Sequence, residues 1–174
     1  MNKIIAALVF AAHKHRDQRR KDAAASPYIN HPIALTDVLV NEAGVDDERV
    51  LIAAILHDTI EDTETTEEEL VVAFGREIAG IVMEVSDDKN LGKDERKRLQ
   101  VEHAAHISQC AKLVKLADKI CNLRDVAAAP PAGWSLRHKQ EYFDWAKAVI
   151  DQLRGAHPGL ERIFDEAYKL RPAS

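Results

Sequence analysis

A single all-α bundle of about nine or ten helices is the architecture this sequence predicts, on three observations. Apolar residues recur at helical spacing in one run after another, and no stretch alternates convincingly with period two. The runs are punctuated by helix-start and helix-stop residues, with Asp, Thr or Ser ahead of them and Gly or Pro behind. A length of 174 residues with 46% hydrophobic content suits one domain, residues 1–174, with a real core, and argues against two.

The elements follow in order. A first helix is expected over about residues 3–20, from the apolar Ile4 to Ala12 into a basic stretch with Arg16, Arg19, Arg20 and Lys21. Met1-Asn2-Lys3 before that run superficially imitates a secretory leader, but cleavage near Ala12 would remove a core helix. Pro32 suits the opening residue of a second helix, which reaches Glu42 and stops at Gly44, and it holds His31 in the turn before it. Asp46 or Asp47 can cap a long third helix ending at about Asp62, across the apolar Val50 to Leu56. Thr66 and Glu69 fit a capping box opening a short helix that ends before Gly75. Ile78 to Val85 is helical, Ser86 to Gly92 a polar loop, and Asp94 starts a charged helix to about His106. Another helix spans about Ser108 to Asp125, Ala127 to Gly133 is a loop, Ser135 caps a helix ending at Gly155, and Pro158 begins the last. No stretch is long enough to cross a membrane.

The chemistry concentrates at His57-Asp58-Thr59-Ile60-Glu61-Asp62, an imidazole and three carboxylates within six residues. On one continuous helix Glu61 lies a turn beyond both His57 and Asp58, and Asp62 a turn beyond Asp58, so all four line one side of a cavity. Imidazole with carboxylate suits a borderline or hard divalent metal, and a leftover carboxylate can orient or deprotonate water. Taken alone, such a stretch is equally a solvated acidic helix end, His31 a turn histidine, and Asp118 a surface partner of Lys115 or Lys119. Together they place His, then His-Asp, then Asp on separate helices.

That order resembles the HD-domain metal phosphohydrolases, and within them the (p)ppGpp hydrolases. The resemblance runs from about Ala7 to Leu153 and includes Gln18-Arg19-Arg20-Lys21, Tyr28-Ile29-Asn30-His31-Pro32, the His57 to Asp62 stretch, Phe74-Gly75, Lys112 to Lys119 and Asn122-Leu123-Arg124. It is nearest to the stand-alone small alarmone hydrolases, single-domain relatives of the hydrolase half of RelA/SpoT proteins. It implies an HD-domain bundle around one Mn²⁺ site held by His31, His57, Asp58 and Asp118. It also implies catalytic carboxylates at Glu61 and Asp62, and substrate contacts at Arg20, Lys21, Lys93, Asn122 and Tyr142. The implied reaction removes pyrophosphate from the 3′ position of ppGpp and pppGpp. A phosphatase acting on another nucleotide, such as the 2′-phosphate of NADPH, would use the same metal site. A non-catalytic alarmone-binding regulator is disfavoured because the ligands and the acidic pair are all kept. Asp22 to Ser26 departs from the family in lacking the glycine often found in that loop.

Composition bounds the partners. With 24 Lys and Arg against 29 Asp and Glu, a net charge of -5, the global field repels a polyanionic nucleotide. Local clusters must attract it, either Arg16, Arg19, Arg20 and Lys21 or Lys89, Lys93, Arg96, Lys97 and Arg98. The same balance, without a basic-aromatic stripe, argues against nucleic acid as a partner. Cys110 and Cys121 are too few for a disulfide framework and suit reduced thiols in a cytoplasmic protein. With no room for a synthetase-like second domain, degradation alone is expected.

Overall fold

The computed structural model describes residues 2–174. Among them are α1 (Asn2–Lys14), α2 (Asn30–Asp37), α3 (Glu48–Leu56), α4 (Thr59–Asp62), α5 (Glu67–Phe74), α6 (Arg76–Val85), α7 (Lys93–His103), α8 (Gln109–Ala128), α9 (Leu136–Asp151) and α10 (Pro158–Tyr168). A π-helical turn, Val38–Glu42, extends α2, and a 3₁₀ turn, Ala104–His106, extends α7. The described residues hold no strand, only an isolated bridge between Arg19 and Pro27.

Two helices form the centre. Every residue of α3 from Val50 to Leu56 is buried, as befits a helix that is apolar all round. Each fully buried Leu or Ile there contributes about 1.5–3 kcal/mol relative to exposure. α8 packs against α2, α3, α6, α9 and α10, and α3 in turn packs against α1, α2 and α6. Ala7 and Ala11 put one face of α1 in the core, as expected for a structural helix. The expected caps form at Asp47, which accepts from the Arg49 N–H, at Thr66 from Glu69 and at Ser135 from His138, and Ser108, expected only as the start of its helix, caps it by accepting from Ala111. His157 caps α10 by accepting from the Leu160 N–H.

Five expected boundaries shift, two of them at the site. α1 ends at Lys14, not near residue 20, because the chain turns back on itself. There the Arg20 N–H donates to the Ser26 carbonyl (2.8 Å) and the Tyr28 N–H to the Gln18 carbonyl (3.1 Å). α2 starts at Asn30, so His31 stands in its first turn and Pro32 does not open it. The helix expected to run unbroken to Asp62 breaks at His57 and Asp58, where Asp58 has φ −99° and ψ 1°. Two side chains occupy the carbonyls on which continuation depends: Thr59 Oγ1 donates to the Leu56 carbonyl (2.7 Å) and His57 Nδ1 lies 2.7 Å from the Ala54 carbonyl. α8 runs to Ala128 and α9 stops at Asp151, three residues later and four residues earlier than expected.

Candidate active site

His31, His57 and Asp118 come together from α2, the α3–α4 break and α8. Their ligand atoms all lie within 4.8 Å of one another. His31 Nε2 is 3.1 Å from Asp118 Oδ1, and His57 Nε2 is 3.6 Å from the same oxygen. Asp58 stands beside this trio, its Oδ2 2.8 Å from His57 Nε2 and 4.0 Å from His31 Nε2. Both imidazoles are buried.

The two carboxylates are tightly held. Burial alone would raise the Asp118 carboxyl, but Lys119 and the two imidazoles hold it well below the usual range. Lys119, itself buried, places Nζ 3.3 Å from Asp118 Oδ2 and 4.3 Å from the Trp145 ring centroid. Asn122, one turn on, donates to Asp118 Oδ1 at 2.9 Å, so it positions that carboxylate as well as lining the cavity. Asp58 Oδ2 accepts a very short hydrogen bond from the Tyr28 hydroxyl. Tyr28 also leans on His15 and sets its ring edge to His31. Neither His15 nor the hydroxyl of Tyr28 was singled out from sequence, although Tyr28 opens the turn that carries His31.

Geometry supplies the reason for a cation. His57 Nδ1 faces a carbonyl and must carry the proton, which leaves Nε2 bare. That buried Nε2 has no partner of hydrogen-bond geometry, yet it points at the carboxylates of Asp58 and Asp118. A lone pair facing carboxylates requires either a proton or a metal between them. Without a metal the proton is favoured: burial opposes it, but Asp58 and Asp118 outweigh burial and raise His57 well above its ordinary value. Two imidazoles and two carboxylates are a suitable donor set for a divalent ion.

The acidic pair separates. Glu61 faces a small polar cavity of about 150 Å³ shared with His57, Asp58 and Asp118. It accepts from the Asp87 N–H, and burial, reinforced by Asp58, pushes its carboxyl up to about 7. Asp62 opens instead onto an adjoining cavity of about 540 Å³. Its Oδ2 accepts from Gln18 Nε2 at 3.1 Å, and Gln18 Oε1 in turn lies 2.7 Å from His15 Nδ1. The four side chains expected on one side of one cavity are thus split between two, because the break at Asp58 rotates α4 relative to α3.

The larger cavity collects most of the anticipated contacts. Arg20, Lys21, Asn122 and Tyr142 line it, and Trp134, not anticipated, joins them. Trp134 stacks on His138 with centroids 3.9 Å apart and tilts against Tyr142. Arg20 is anchored by Asp125 at 2.7 Å and lies over the Tyr28 ring. Lys93 is the exception: it is exposed at the start of α7 and lines neither this cavity nor the smaller one. Most of the second basic cluster is engaged elsewhere, Arg98 with Glu95 and Glu102, Lys97 over Trp145, and Lys89 with the Thr63 carbonyl. Of the two clusters, the first is the one that lines the larger cavity, through Arg19, Arg20 and Lys21.

Known proteins share both sequence and shape. The guanosine-3′,5′-bis(diphosphate) 3′-pyrophosphohydrolase MESH1 of Xenopus tropicalis is 54% identical over 165 residues, spanning 95% of this chain and 92% of its own. Its Homo sapiens counterpart is 53% identical over 168 residues, spanning 97% and 94%. A solved structure described as a metazoan ortholog of SpoT that hydrolyzes ppGpp superposes with a TM-score of 0.95 at 48% identity, covering 100% of this chain and 98% of that one. The sequence profile of the HD domain matches residues 7–144, the stretch that carries both histidines, both aspartates and the acidic pair, and the chain belongs to the HD-domain family.

Proposed function

We propose that residues 1–174 form one catalytic domain that hydrolyses the 3′-diphosphate of ppGpp and pppGpp, giving GDP or GTP and pyrophosphate, and that it lowers this alarmone in the cytoplasm. The observation that carries the reading is a buried His31–His57–Asp118 cluster with Asp58 at its side, lining a small polar cavity that adjoins a nucleotide-sized one bearing Arg20 and Lys21. Relatives bearing that activity are more than half identical over nearly the whole chain.

The donor set suits Mn²⁺, held by His31, His57, Asp58 and Asp118, which would supply Lewis-acid polarisation of a phosphoryl oxygen and neutralise its charge. The chain's own groups do the rest. In the reaction a water oxygen bonds to the phosphorus next to the ribose, and the bond from that phosphorus to the 3′ oxygen breaks. The electron pair goes to the 3′ oxygen, which takes up a proton. Glu61 is placed to accept the proton that water gives up, since its carboxyl titrates near neutrality and the Asp87 N–H fixes its direction. Asp62, aimed by Gln18, orders water or substrate at the junction of the two cavities. Arg20 and Lys21 anchor phosphate, while Asn122 and Tyr142 flank the nucleoside. Lys93, although the resemblance implies a contact, would reach substrate only if its exposed side chain folded inward.

The test is turnover of the purified, metal-stripped protein with ppGpp, with and without added Mn²⁺. Release of pyrophosphate and GDP only with metal is expected. No pyrophosphate with Mn²⁺ present would overturn the reading.

A further inference from the structure

Lys115 is a cation whose burial the core does not explain. It lies one turn before Asp118 on α8 and is 7% exposed. Its single hydrogen bond among the described residues runs 3.3 Å from Nζ to the Val85 carbonyl, although an ammonium has three N–H groups to place. It forms no ion pair among the described residues, and the carboxylates of Asp118, Asp87 and Glu61 act on it only through space. Lys119, on the next turn, shows the contrast: it pairs directly with Asp118 and covers Trp145.

Position gives this cation a use. Arg20, Tyr28, His31 and Asn122 line both cavities, so they form the passage between them. The nucleoside side is the larger cavity; of the metal cluster, His31 lines both cavities while His57, Asp58 and Asp118 line the small one, where Lys115 and Gln100 stand with them. The small cavity, about 150 Å³, has room for a phosphoryl group and no room for a second nucleoside.

We infer that Lys115 binds the distal phosphoryl group of the 3′-diphosphate, and so makes the small cavity a subsite that distinguishes a 3′-diphosphate from a 3′-monophosphate. The inference rests on the hydrolase reading above. When the phosphorus next to the ribose sits at the metal cluster and the nucleoside fills the large cavity, the second phosphoryl extends into the small one. There the unused N–H groups of Lys115 meet its oxygens, and on cleavage the same contacts hold the departing pyrophosphate. A charge-assisted hydrogen bond of this kind amounts to roughly 10- to 100-fold in binding.

The experiment compares wild type, Lys115→Met and Lys115→Arg, each loaded with Mn²⁺. Three quantities are read: kcat/KM for ppGpp, the inhibition constant of guanosine 5′-diphosphate 3′-monophosphate, and bound metal per chain. Lys115→Met should lower kcat/KM roughly 10- to 100-fold while the inhibition constant of the monophosphate and the metal content stay nearly constant, and Lys115→Arg should recover part of the loss. Equal losses for both ligands, or loss of metal, would assign Lys115 a structural role and overturn the inference. Unchanged kcat/KM in Lys115→Met would do so too. Absence of pyrophosphate release by the wild type would instead sink the hydrolase reading itself.

Discussion

At Ala25 the backbone takes φ +48°, a left-handed conformation in which an L side chain is crowded. The loop is closed by Asp22, whose carboxylate accepts from both the Ser26 N–H (3.0 Å) and its hydroxyl (2.7 Å). Alanine is thus held in a geometry natural to glycine, which explains how a loop without the family's glycine still follows a tight path. Ala25→Gly should stabilise the protein by about 1 kcal/mol, raising Tm by roughly 2–4 °C with kcat unchanged; a fall in Tm would show the strain is absent. Glu61 poses a chemical question at the same scale. Its carboxyl is pushed up to about 7 by burial, so kcat should rise with pH along an acid limb with its midpoint near 7. Glu61→Gln should retain metal, lose that limb and lower kcat by about 100-fold or more. A Gln variant that stays within a few-fold of wild type would remove Glu61 from the proton transfer.

The break between α3 and α4 sets where Glu61 and Asp62 point, and a buried hydroxyl maintains it. Thr59 is fully buried and its Oγ1 occupies the Leu56 carbonyl at 2.7 Å. Thr59→Val keeps the shape but leaves that carbonyl unsatisfied, at a cost of about 1–3 kcal/mol. Without the bond α4 can relax toward a continuous helix, misplacing both carboxylates, so kcat should drop about 10-fold or more, whereas Thr59→Ser should preserve it. If Val and Ser behave alike in kcat, the hydroxyl does not position α4. This break was not legible in the sequence, since Val50 to Asp62 contains no Gly or Pro and the competing bonds come from the side chains of His57 and Thr59. Caps at Asp47, Thr66 and Ser135 were legible because each is a local residue acting on the next turn. The trio His31, His57 and Asp118 could be read from motif order, and the structure brings it together. Lys93 was expected at the substrate from the resemblance, and its exposure at the start of α7 is set by the direction of that helix, which no local motif encodes. Tyr28, Gln18 and Lys115 stand in the motifs read from the sequence, but their roles were not legible because each depends on a partner 30 to 44 residues away.

Across the whole molecule, the site draws on α2, the α3–α4 break and α8, so whatever occupies it ties three core elements together. A metal that binds only the folded chain stabilises it by about 2.7 kcal/mol at one hundred times its dissociation constant, a rise in Tm of roughly 5–10 °C. Protons compete for the same place. His57 has a folded value well above its ordinary 6.5, so its protonated form stabilises the metal-free fold fully below that pH, and this contribution is lost as pH rises through the folded value. The metal takes the position the proton gives up. Addition of Mn²⁺ should therefore raise Tm more at pH 8 than at pH 6, and His31→Ala should abolish the increment at both. An increment independent of pH would mean that the ion binds without displacing the His57 proton, and one that survives His31→Ala would place it outside this cluster.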